Sequence, residues 1–275
     1  MTTDSTRRAE TFHALHQGPD LLILANAWDA GSARLIESLG AKAIATTSAG
    51  VAWAHGYPDG DALPLERLLS TVSAITRVIR VPLTVDFEGG YSNDAAQVGD
   101  AAGRLIEAGA VGINIEDASS PPAALCEKIA RVRQVSTRLG VRLFINVRTD
   151  VYLRGLVPEP LRQQETLARA EQYRAAGADG LFVPGLVDAV GLQAITAGTV
   201  LPVNAMVRPG LPNAQELRRV GVRRLSSGAS IPQTLLGEAA ALATAFLADG
   251  RSEPLCQKRM DYATINALMP SDASS

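Results

Sequence analysis

Short apolar runs recur along the chain, and several of them directly follow a helical pattern that ends in glycine. Glycine permits the left-handed backbone that terminates many helices, because it has no Cβ atom. Each apolar run is too short for a helix and suits a strand buried on both faces. We call this link between a helical pattern and a strand, made by a glycine, a glycine joint. Its repetition predicts a parallel sheet built from βα units. The joint occurs five times, at Gly40, Gly109, Gly140, Gly177 and Gly221.

Eight strands are predicted in this way, with helical patterns between them, such as residues 94–108 and 163–176. Eight βα units in about 230 residues match a (β/α)8 barrel. Residues 26–31 lack the glycine-rich turn that is typical of nucleotide-binding open sheets. The predicted fold class is therefore α/β, a (β/α)8 TIM-type barrel. The predicted strands are residues 21–27, 43–47, 83–87, 112–117, 142–147, 180–183, 203–206 and 224–226.

Two helical patterns follow the eighth strand. Residues 231–248 are rich in alanine and leucine, Pro254 interrupts the pattern, and residues 257–268 form a second helix. We expect one domain, residues 1–275, in which residues 231–275 form a C-terminal helical extension of the barrel. Helices outside a closed barrel must bury their apolar side, so we expect a neighbouring subunit to cover them.

Composition and charge exclude several classes of protein. The chain has 275 residues, 47% of them hydrophobic, and a net charge of −2. Its lysine and arginine residues are scattered along the sequence rather than clustered, which argues against nucleic acid or an anionic membrane as a partner. No apolar run reaches the roughly 18 residues of a spanning helix, and the polar N-terminus lacks a secretory apolar core. Cys126 and Cys256 match no metal or redox spacing and fit a reducing cytoplasm, so a cytoplasmic protein is expected.

The carboxyl ends of the predicted strands carry acidic residues, and this end of a βα barrel holds the active site. Asp86 and Glu88 occupy alternate positions, so they are predicted to face the same way. Glu116 adds a third carboxylate on the adjacent strand. Carboxylates without histidine or cysteine nearby favour Mg²⁺ or Mn²⁺. The alternative is that these acids cap helices or pair with arginines at the rim.

Three further features of this end suit an anionic ligand. Residues 46–50 end a strand in small residues whose N–H groups are predicted to point inward, or they form an ordinary βα turn. Arg148 could contact a carboxylate or phosphate of the ligand, an acid of the site, or both. Asn204 could donate to a ligand oxygen or fix its own loop.

Histidine and lysine chemistry is not expected. His13 and His16 fall on an N-terminal helix, where solvated histidines are more common than catalytic ones, so neither a zinc site nor a catalytic triad is predicted. Lys42 precedes the second strand and belongs to the opposite rim of the barrel, which argues against a Schiff-base mechanism.

Six motifs occur in an order that resembles the isocitrate lyase/phosphoenolpyruvate mutase superfamily, over about residues 10–250. The resemblance implies a modified (β/α)8 barrel that uses Mg²⁺ to handle 2-oxo carboxylates and their enolates. It also implies dimers of dimers that exchange a C-terminal helix, so a homodimer or homotetramer is expected. The motifs are residues 48–51 (SAGV), 55–59 (HGYPD), 85–90 (VDFEGG), 115–117 (IED), 146–150 (NVRTD) and 202–204 (PVN).

The same resemblance implies a role for each matching residue. The implied metal ligands are Asp86, Glu88 and Glu116, with Asp86 as the principal one. Asp59 would hold metal-bound water. With Glu116 and Arg148 it forms the implied catalytic set, in which Arg148 contacts the oxygen that carries negative charge. The implied substrate-binding residues are Ser48, Ala49, Gly50, Asp86, Arg148 and Asn204, of which Asn204 lines the pocket.

One loop departs from the superfamily pattern. Isocitrate and methylisocitrate lyases carry a Lys-Lys/Arg-Cys-Gly-His loop after the fourth strand, whereas residues 116–123 here read EDASSPPA. The lysine and asparagine that the mutase and phosphonopyruvate hydrolase use on this loop are not evident either. Cys126 lies beyond the prolines in a helical pattern and is not expected to be catalytic. An isocitrate lyase is therefore not expected, and the general acid or base is unassigned.

The predicted function is that of a Mg²⁺-dependent enzyme that cleaves a C–C bond next to the carbonyl of a 2-oxo or 2-hydroxy carboxylate, through an enolate. Decarboxylation of the oxaloacetate type, or retro-aldol cleavage, needs only a metal and an electron sink, so it survives the loss of the loop. One alternative is a phosphonate enzyme, either a mutase or a phosphonopyruvate hydrolase. Another is a barrel that binds a 2-oxo acid without turnover.

Overall fold

Nine parallel strands form the barrel of the computed structural model, which describes residues 3–269. They are β1 (Leu22–Leu24), β2 (Asn26–Ala27), β3 (Ile44–Thr46), β4 (Leu83–Asp86), β5 (Gly112–Glu116), β6 (Phe144–Arg148), β7 (Gly180–Phe182), β8 (Val203–Met206) and β9 (Arg224–Ser226). The hydrogen-bonded order is β1-β9-β8-β7-β6-β5-β4-β3-β2. The predicted TIM-type α/β barrel is confirmed.

The first predicted strand is not continuous. It is divided at Ala25 into β1, which pairs with β9, and β2, which pairs with β3. Leu22 lies opposite Arg224, and Asn26 lies opposite Ala45. One stretch of chain therefore joins the last strand to the second predicted one, and this change of partner closes the ring. The prediction of a single strand over residues 21–27 was wrong because the local pattern does not show which strands it pairs with.

Helices follow the strands in chain order. The five predicted glycine joints all have positive φ angles, from +69° at Gly140 to +113° at Gly177, as helix termini require. The helices are α1 (Thr3–Gln17), α2 (Ala30–Ser38), α3 (Ser48–Ala54), α4 (Leu65–Val78), α5 (Ala95–Glu107), α6 (Pro122–Arg138), α7 (Arg162–Ala176), α8 (Ala189–Gly198), α9 (Ala214–Arg219), α10 (Ser230–Asp249), α11 (Glu253–Cys256) and α12 (Tyr262–Leu268). A π-helical turn (Val151–Gly155) and a 3₁₀ turn (Glu159–Leu161) precede α7.

Helix α5 shows how the sequence specifies these elements. The side chain of Asp94 accepts a hydrogen bond from the N–H of Ala96 at 2.8 Å and so caps the first turn. Val98 and Leu105 are buried on the face that packs into the main core. Gly109 follows the end of the helix, and a Cβ atom at this position would be crowded, at 2.9 Å from Thr76 Cγ2. Cap, apolar face and terminal glycine were all readable in the sequence, and the helix predicted over residues 94–108 is confirmed.

The C-terminal helices differ in part from the prediction. α12 begins at Tyr262 rather than at residue 257, because Asp261 accepts a hydrogen bond from the N–H of Thr264 and caps the helix there. Pro254 does not interrupt a helix but lies in the first turn of α11. Proline is tolerated there because the N–H groups of the first turn have no acceptor within the helix. The second helix is therefore shorter than predicted.

Helix α10 presents an apolar surface to its surroundings. Leu235, Phe246 and Leu247 are exposed, Leu247 to 84%, and Pro232 is the one buried residue of the helix against residues 3–269. Among those residues, α10 is also the one helix long and apolar enough to cross a membrane by length and composition, and 6% of its apolar window is buried.

Helix α1 closes the amino end of the barrel, and its histidines are buried rather than solvated as predicted. The His16 ring stacks on Phe144 with centroids 3.9 Å apart, and its Nδ1 lies 2.8 Å from the carbonyl oxygen of Phe12. His13 Nε2 lies 3.0 Å from the carbonyl oxygen of Arg142. The prediction failed because the polar faces of α1 gave no sign that this helix caps an open barrel end.

We expect the burial of His16 to make stability depend on pH. Burial, and then repulsion from Arg224, lowers the pKa of His16 to about 3, from 6.5 in the unfolded chain. Between these values the unfolded state binds the additional proton, so the free energy of unfolding decreases as the pH falls from 6.5 toward 3. In His16→Phe, the pH slope of the unfolding free energy should be smaller by up to about 1.4 kcal/mol per pH unit.

Urea denaturation at a series of pH values measures this slope, and His55→Phe, at an exposed histidine, is the control. The control should keep the slope of the wild type. Equal slopes in the wild type and in His16→Phe would contradict the assignment.

Candidate active site

A cavity of about 210 Å³ opens at the carboxyl ends of the strands. Its charged lining residues are Asp59, Asp86, Arg148 and Arg208. Of the predicted site residues, the structure brings Ser48, Ala49, Asp59, Asp86 and Arg148 to this cavity and leaves Gly50, Glu88, Glu116 and Asn204 outside its lining. A cavity therefore lies at the end of the barrel where the site is predicted.

Asp86 is the last residue of β4 and is fixed by groups that follow β3. Its N–H donates to Thr46 Oγ1 at 2.8 Å, and its Oδ2 accepts a hydrogen bond from the N–H of Ser48 at 3.0 Å. Within residues 3–269, no group donates a hydrogen bond to the other carboxylate oxygen of Asp86, Oδ1. One carboxylate oxygen thus orients the side chain, and the other is available in the cavity.

Glu88 lies just beyond the end of β4, which ends at Asp86, and has a left-handed backbone with φ +49°. Its Oε2 accepts hydrogen bonds from the N–H groups of Gly60 (2.9 Å) and Asp61, and its Oε1 accepts from Tyr91 Oη at 2.6 Å. Burial raises the pKa of Glu88. Glu88 thus holds the loop that carries Asp59.

Arg148 lies between two carboxylates. Its Nη1 contacts Glu116 Oε2 at 2.8 Å, and its Nε and Nη2 donate to the two oxygens of Asp150 at 2.7 and 3.0 Å. Three of its five N–H donors are used in this way. Burial opposes the charged form of Arg148, but Glu116 and Asp150 outweigh it and raise the pKa.

Glu116 is the acid most easily protonated in this group. Burial raises its pKa to about 8 against the attraction of Arg148, and the neighbouring Asp86 and Asp150 add to the rise. The balance between burial and attraction therefore differs for the two partners of the ion pair. For Arg148 the nearby acids outweigh burial, whereas for Glu116 burial outweighs the attraction of Arg148. We attribute the difference to competition, since Asp150 makes two contacts to the guanidinium and Glu116 makes one.

Two acids that support the site were present in the motifs but had no assigned role. Asp150 is fully buried and orients Arg148. Asp117 accepts hydrogen bonds from the N–H of Asp150 (2.9 Å), from Arg169 Nη1 (2.7 Å) and from Tyr173 Oη (2.7 Å). Arg169 and Tyr173 belong to α7 and lie about fifty residues from Asp117 in the sequence. Their hydrogen bonds to Asp117 are tertiary contacts, which the spacing of the motifs does not show.

The small-residue segment after β3 is a helix rather than a turn, since α3 begins at Ser48. Ser48 and Ala49 line the cavity, but the N–H of Ser48 already donates to Asp86. A Cβ atom on Gly50 would lie 2.9 Å from Trp28 Cβ and 3.2 Å from Pro232 Cγ. Gly50 therefore serves close packing against the start of α10, and the structure does not place it in the cavity.

Asn204 is fully buried beneath the cavity rather than in its lining. Its Oδ1 accepts from Asn146 Nδ2 at 3.1 Å, and its Nδ2 donates to Ser226 Oγ at 3.1 Å. Asn146 Nδ2 also donates to Asn114 Oδ1 at 2.9 Å. These amides form a layer under the cavity floor, and Asn114, which the sequence reasoning missed, is the member that reaches the cavity.

The donor set fits a hard divalent cation that keeps water ligands. No group of three or more histidine, cysteine or acidic side chains within residues 3–269 is arranged to hold a metal by itself. Mg²⁺ characteristically takes one or two carboxylates and several waters. Asp86 offers one oxygen in the cavity, and Asp59 lines the same space.

Cys126 lies on α6, half-buried against the core and outside the cavity lining. Burial raises the pKa of its thiol, so the thiolate is disfavoured. We expect Cys126→Ser to keep kcat/KM within about threefold of wild type, a change of less than about 1 kcal/mol. Steady-state kinetics on the folded variant checks this. A loss of several orders of magnitude would restore a thiol-dependent mechanism.

The sequence profile of the phosphoenolpyruvate phosphomutase family matches residues 12–247. The chain belongs to this family, as the six ordered motifs predicted. A relative in Mycobacterium tuberculosis, itself described as uncharacterized, is 35% identical over 94% of this chain and 96% of its own length. An oxaloacetate decarboxylase of Bradyrhizobium diazoefficiens is 30% identical over 71% of this chain and 69% of its own length.

Solved structures share the barrel. A Burkholderia cenocepacia J2315 protein, provisionally described as a phosphonomutase, has a TM-score of 0.83 at 38% identity and covers 87% of this chain and 98% of its own. A phosphonopyruvate hydrolase in complex with oxalate and Mg²⁺ has a TM-score of 0.82 at 20% identity and covers 95% and 94%. The predicted superfamily is confirmed. Together with the family match, the decarboxylase relatives confirm the predicted class, a carbon–carbon lyase of this superfamily.

Proposed function

We propose that this lyase decarboxylates a small 2-oxo dicarboxylate of the oxaloacetate type with the help of a divalent cation. The observation that carries the proposal is the cavity at the carboxyl end of the barrel, which is lined by Asp86, with one oxygen free of hydrogen bonds, and by Arg148. The oxaloacetate decarboxylase relative supports the choice of substrate. The short loop after β5 is compatible with it, because this reaction needs no thiol.

Mg²⁺ or Mn²⁺ is the proposed cofactor, with Asp86 as the direct ligand. Glu88, Glu116 and Asp59 would act on it through water, since Glu88 and Glu116 are engaged elsewhere and Asp59 lies in the cavity lining. The bound cation would supply Lewis-acid stabilisation of negative charge on the oxo oxygen. The phosphonopyruvate hydrolase of the same fold binds Mg²⁺ together with oxalate, which supports this choice.

The charges of the cavity favour a substrate with two carboxylates. Ser48 and Ala49 would bind the carboxylate next to the oxo group, through the Ser48 hydroxyl and the Ala49 N–H. Arg148 is largely balanced by Glu116 and Asp150. Arg208 also lines the cavity, and no acid within residues 3–269 pairs with it. This unpaired cation gives the second carboxylate a partner.

In the proposed reaction the bond between the 3-carbon and its carboxylate breaks, and its electron pair moves into the enolate of the 2-oxo acid as CO₂ leaves. Arg148, which has two N–H donors left over, donates to the oxygen that gains negative charge. Asp150 and Glu116 hold the guanidinium in place for this contact. The enolate then takes a proton at its 3-carbon, which gives the 2-oxo monocarboxylate.

A homodimer or homotetramer is the proposed assembly. The exposed apolar residues of α10 support it, because an uncovered surface of this kind on a barrel enzyme is suited to a second copy of the chain. Light scattering of the purified protein tests it, and a monomer at micromolar concentration would contradict it.

The substrate is tested with a panel of oxaloacetate, 2-hydroxy dicarboxylates and phosphonopyruvate, each with and without Mg²⁺. Pyruvate release is followed with a coupled dehydrogenase. We expect Mg²⁺-dependent release from oxaloacetate above the spontaneous rate. Turnover of phosphonopyruvate alone would favour the phosphonate enzyme, and binding of these acids without turnover would favour a binding barrel.

A further inference from the structure

Arg224 is a buried cation that forms no ion pair within residues 3–269. It belongs to β9, points into the barrel and is 1% exposed. Its Nη2 donates to Asn114 Oδ1 at 3.1 Å, and its Cζ lies 6.0 Å from the centroid of the Phe12 ring. Nε and Nη1 have no hydrogen-bond partner in the described residues. The guanidinium thus lies between the aromatic side chains of α1 below and the amide layer under the cavity above.

Stability does not explain such a residue. Burying a charge without a compensating partner costs free energy of folding, and apolar side chains of similar volume often replace buried charges without loss of stability. Burial lowers the pKa of Arg224 to about 9, which still leaves the guanidinium charged at neutral pH. The buried charge of Arg224 costs folding free energy and lies under the cavity. A role in ligand binding therefore explains it better than a role in stability.

The contact to Asn114 has a definite consequence for the cavity. Arginine has only donors, so the atom of Asn114 that faces it must be the acceptor Oδ1. Asn146 Nδ2 donates to the same oxygen. Nδ2 of Asn114 is left with no acceptor within residues 3–269, and Asn114 lines the cavity. Its two N–H donors are therefore available to an oxygen of the ligand.

The remaining charges show why a cation under the floor matters. Arg148 is shared by Glu116 and Asp150, and the cavity lining contains Asp59 and Asp86 besides Arg208, which is unpaired in the described part of the chain. These acids disfavour an anionic ligand. Arg224 forms no ion pair within residues 3–269, and the acid that attracts it from a distance is Asp86 in the cavity lining. Its positive charge therefore acts on the floor of the cavity, in surroundings where charges are poorly screened.

We propose that Arg224 is a positioning residue for anion binding: it orients Asn114 as a substrate-binding donor and supplies a fixed positive charge under the cavity. The inference deepens the proposed function, on which it rests for the identity of the anion. It adds Asn114 to the residues that contact the substrate.

The test is a double-mutant cycle on the binding of oxalate in the presence of Mg²⁺, measured by calorimetry. We expect Arg224→Met to bind oxalate at least about tenfold more weakly, the effect of one strong hydrogen bond, while its Tm is equal to that of wild type or higher. Asn114→Ala should lose a similar factor. Because the two residues act through one contact, the double variant should lose little more than either single variant.

Arg224→Lys and Arg223→Met complete the design. Arg224→Lys keeps a positive charge and should recover part of the affinity. Arg223→Met changes the neighbouring, half-exposed arginine and should leave the affinity unchanged. Additive losses in the cycle, unaltered affinity in Arg224→Met, or a wild type that binds no oxalate would each overturn the inference. A wild type that binds oxalate but does not decarboxylate oxaloacetate would overturn the proposed function alone.

Discussion

Asp86→Asn is expected to lower the turnover of oxaloacetate by at least about a thousandfold, because it removes the negative charge of the proposed metal ligand. The change is almost isosteric, and the asparagine oxygen can still accept the hydrogen bond from the N–H of Ser48. The variant should therefore fold normally and lose its Mg²⁺-dependent binding of oxalate. Steady-state kinetics across a range of Mg²⁺ concentrations, together with calorimetry, measures both effects.

Asp100→Asn is the matched control, since Asp100 is an exposed acid of α5 outside the cavity. It should leave both turnover and Mg²⁺ dependence unchanged. If Asp86→Asn kept the metal dependence of the wild type, the cation would have to be placed elsewhere in the barrel.

The fold was predictable from the sequence where local chemistry decides structure. A helix that ends in glycine and a short apolar run are local features, and the five joints have the positive φ angles that they predict. The division of the first strand was not predictable in this way. β1 and β2 differ in their partners, β9 and β3, and the choice of partner depends on the closed barrel as a whole.

The same distinction applies to the site. Asp86 and Arg148 stand at strand ends, and the position of a strand end follows from the local pattern. Glu88 was predicted to share the orientation of Asp86 because of strand alternation, but it lies outside the strand and has a left-handed backbone, so that rule does not decide its orientation. Gly50 and Asn204 were expected in the pocket because of the motifs they belong to, whereas one packs against Trp28 and the other lies beneath the floor.

The supporting residues depend on contacts between distant parts of the chain. Arg224 and Asn114 are 110 positions apart, and His16 stacks on Phe144 from a helix that precedes the barrel. No spacing in the sequence encodes such pairs. A buried cation beneath the site becomes visible only when the barrel interior is assembled.

Arg148→Lys should lower kcat/KM for oxaloacetate by about a hundredfold or more, although it preserves the charge. The guanidinium contacts both oxygens of Asp150 and one of Glu116 while it keeps donors for the substrate, and a lysine ammonium cannot reproduce that planar fork. Arg154→Lys is the control, because Arg154 also contacts Asp150 but is half-exposed and outside the cavity lining. It should cost no more than a few-fold. Steady-state kinetics on both folded variants decides the matter, and equal losses would mean that Arg148 serves only to neutralise Asp150.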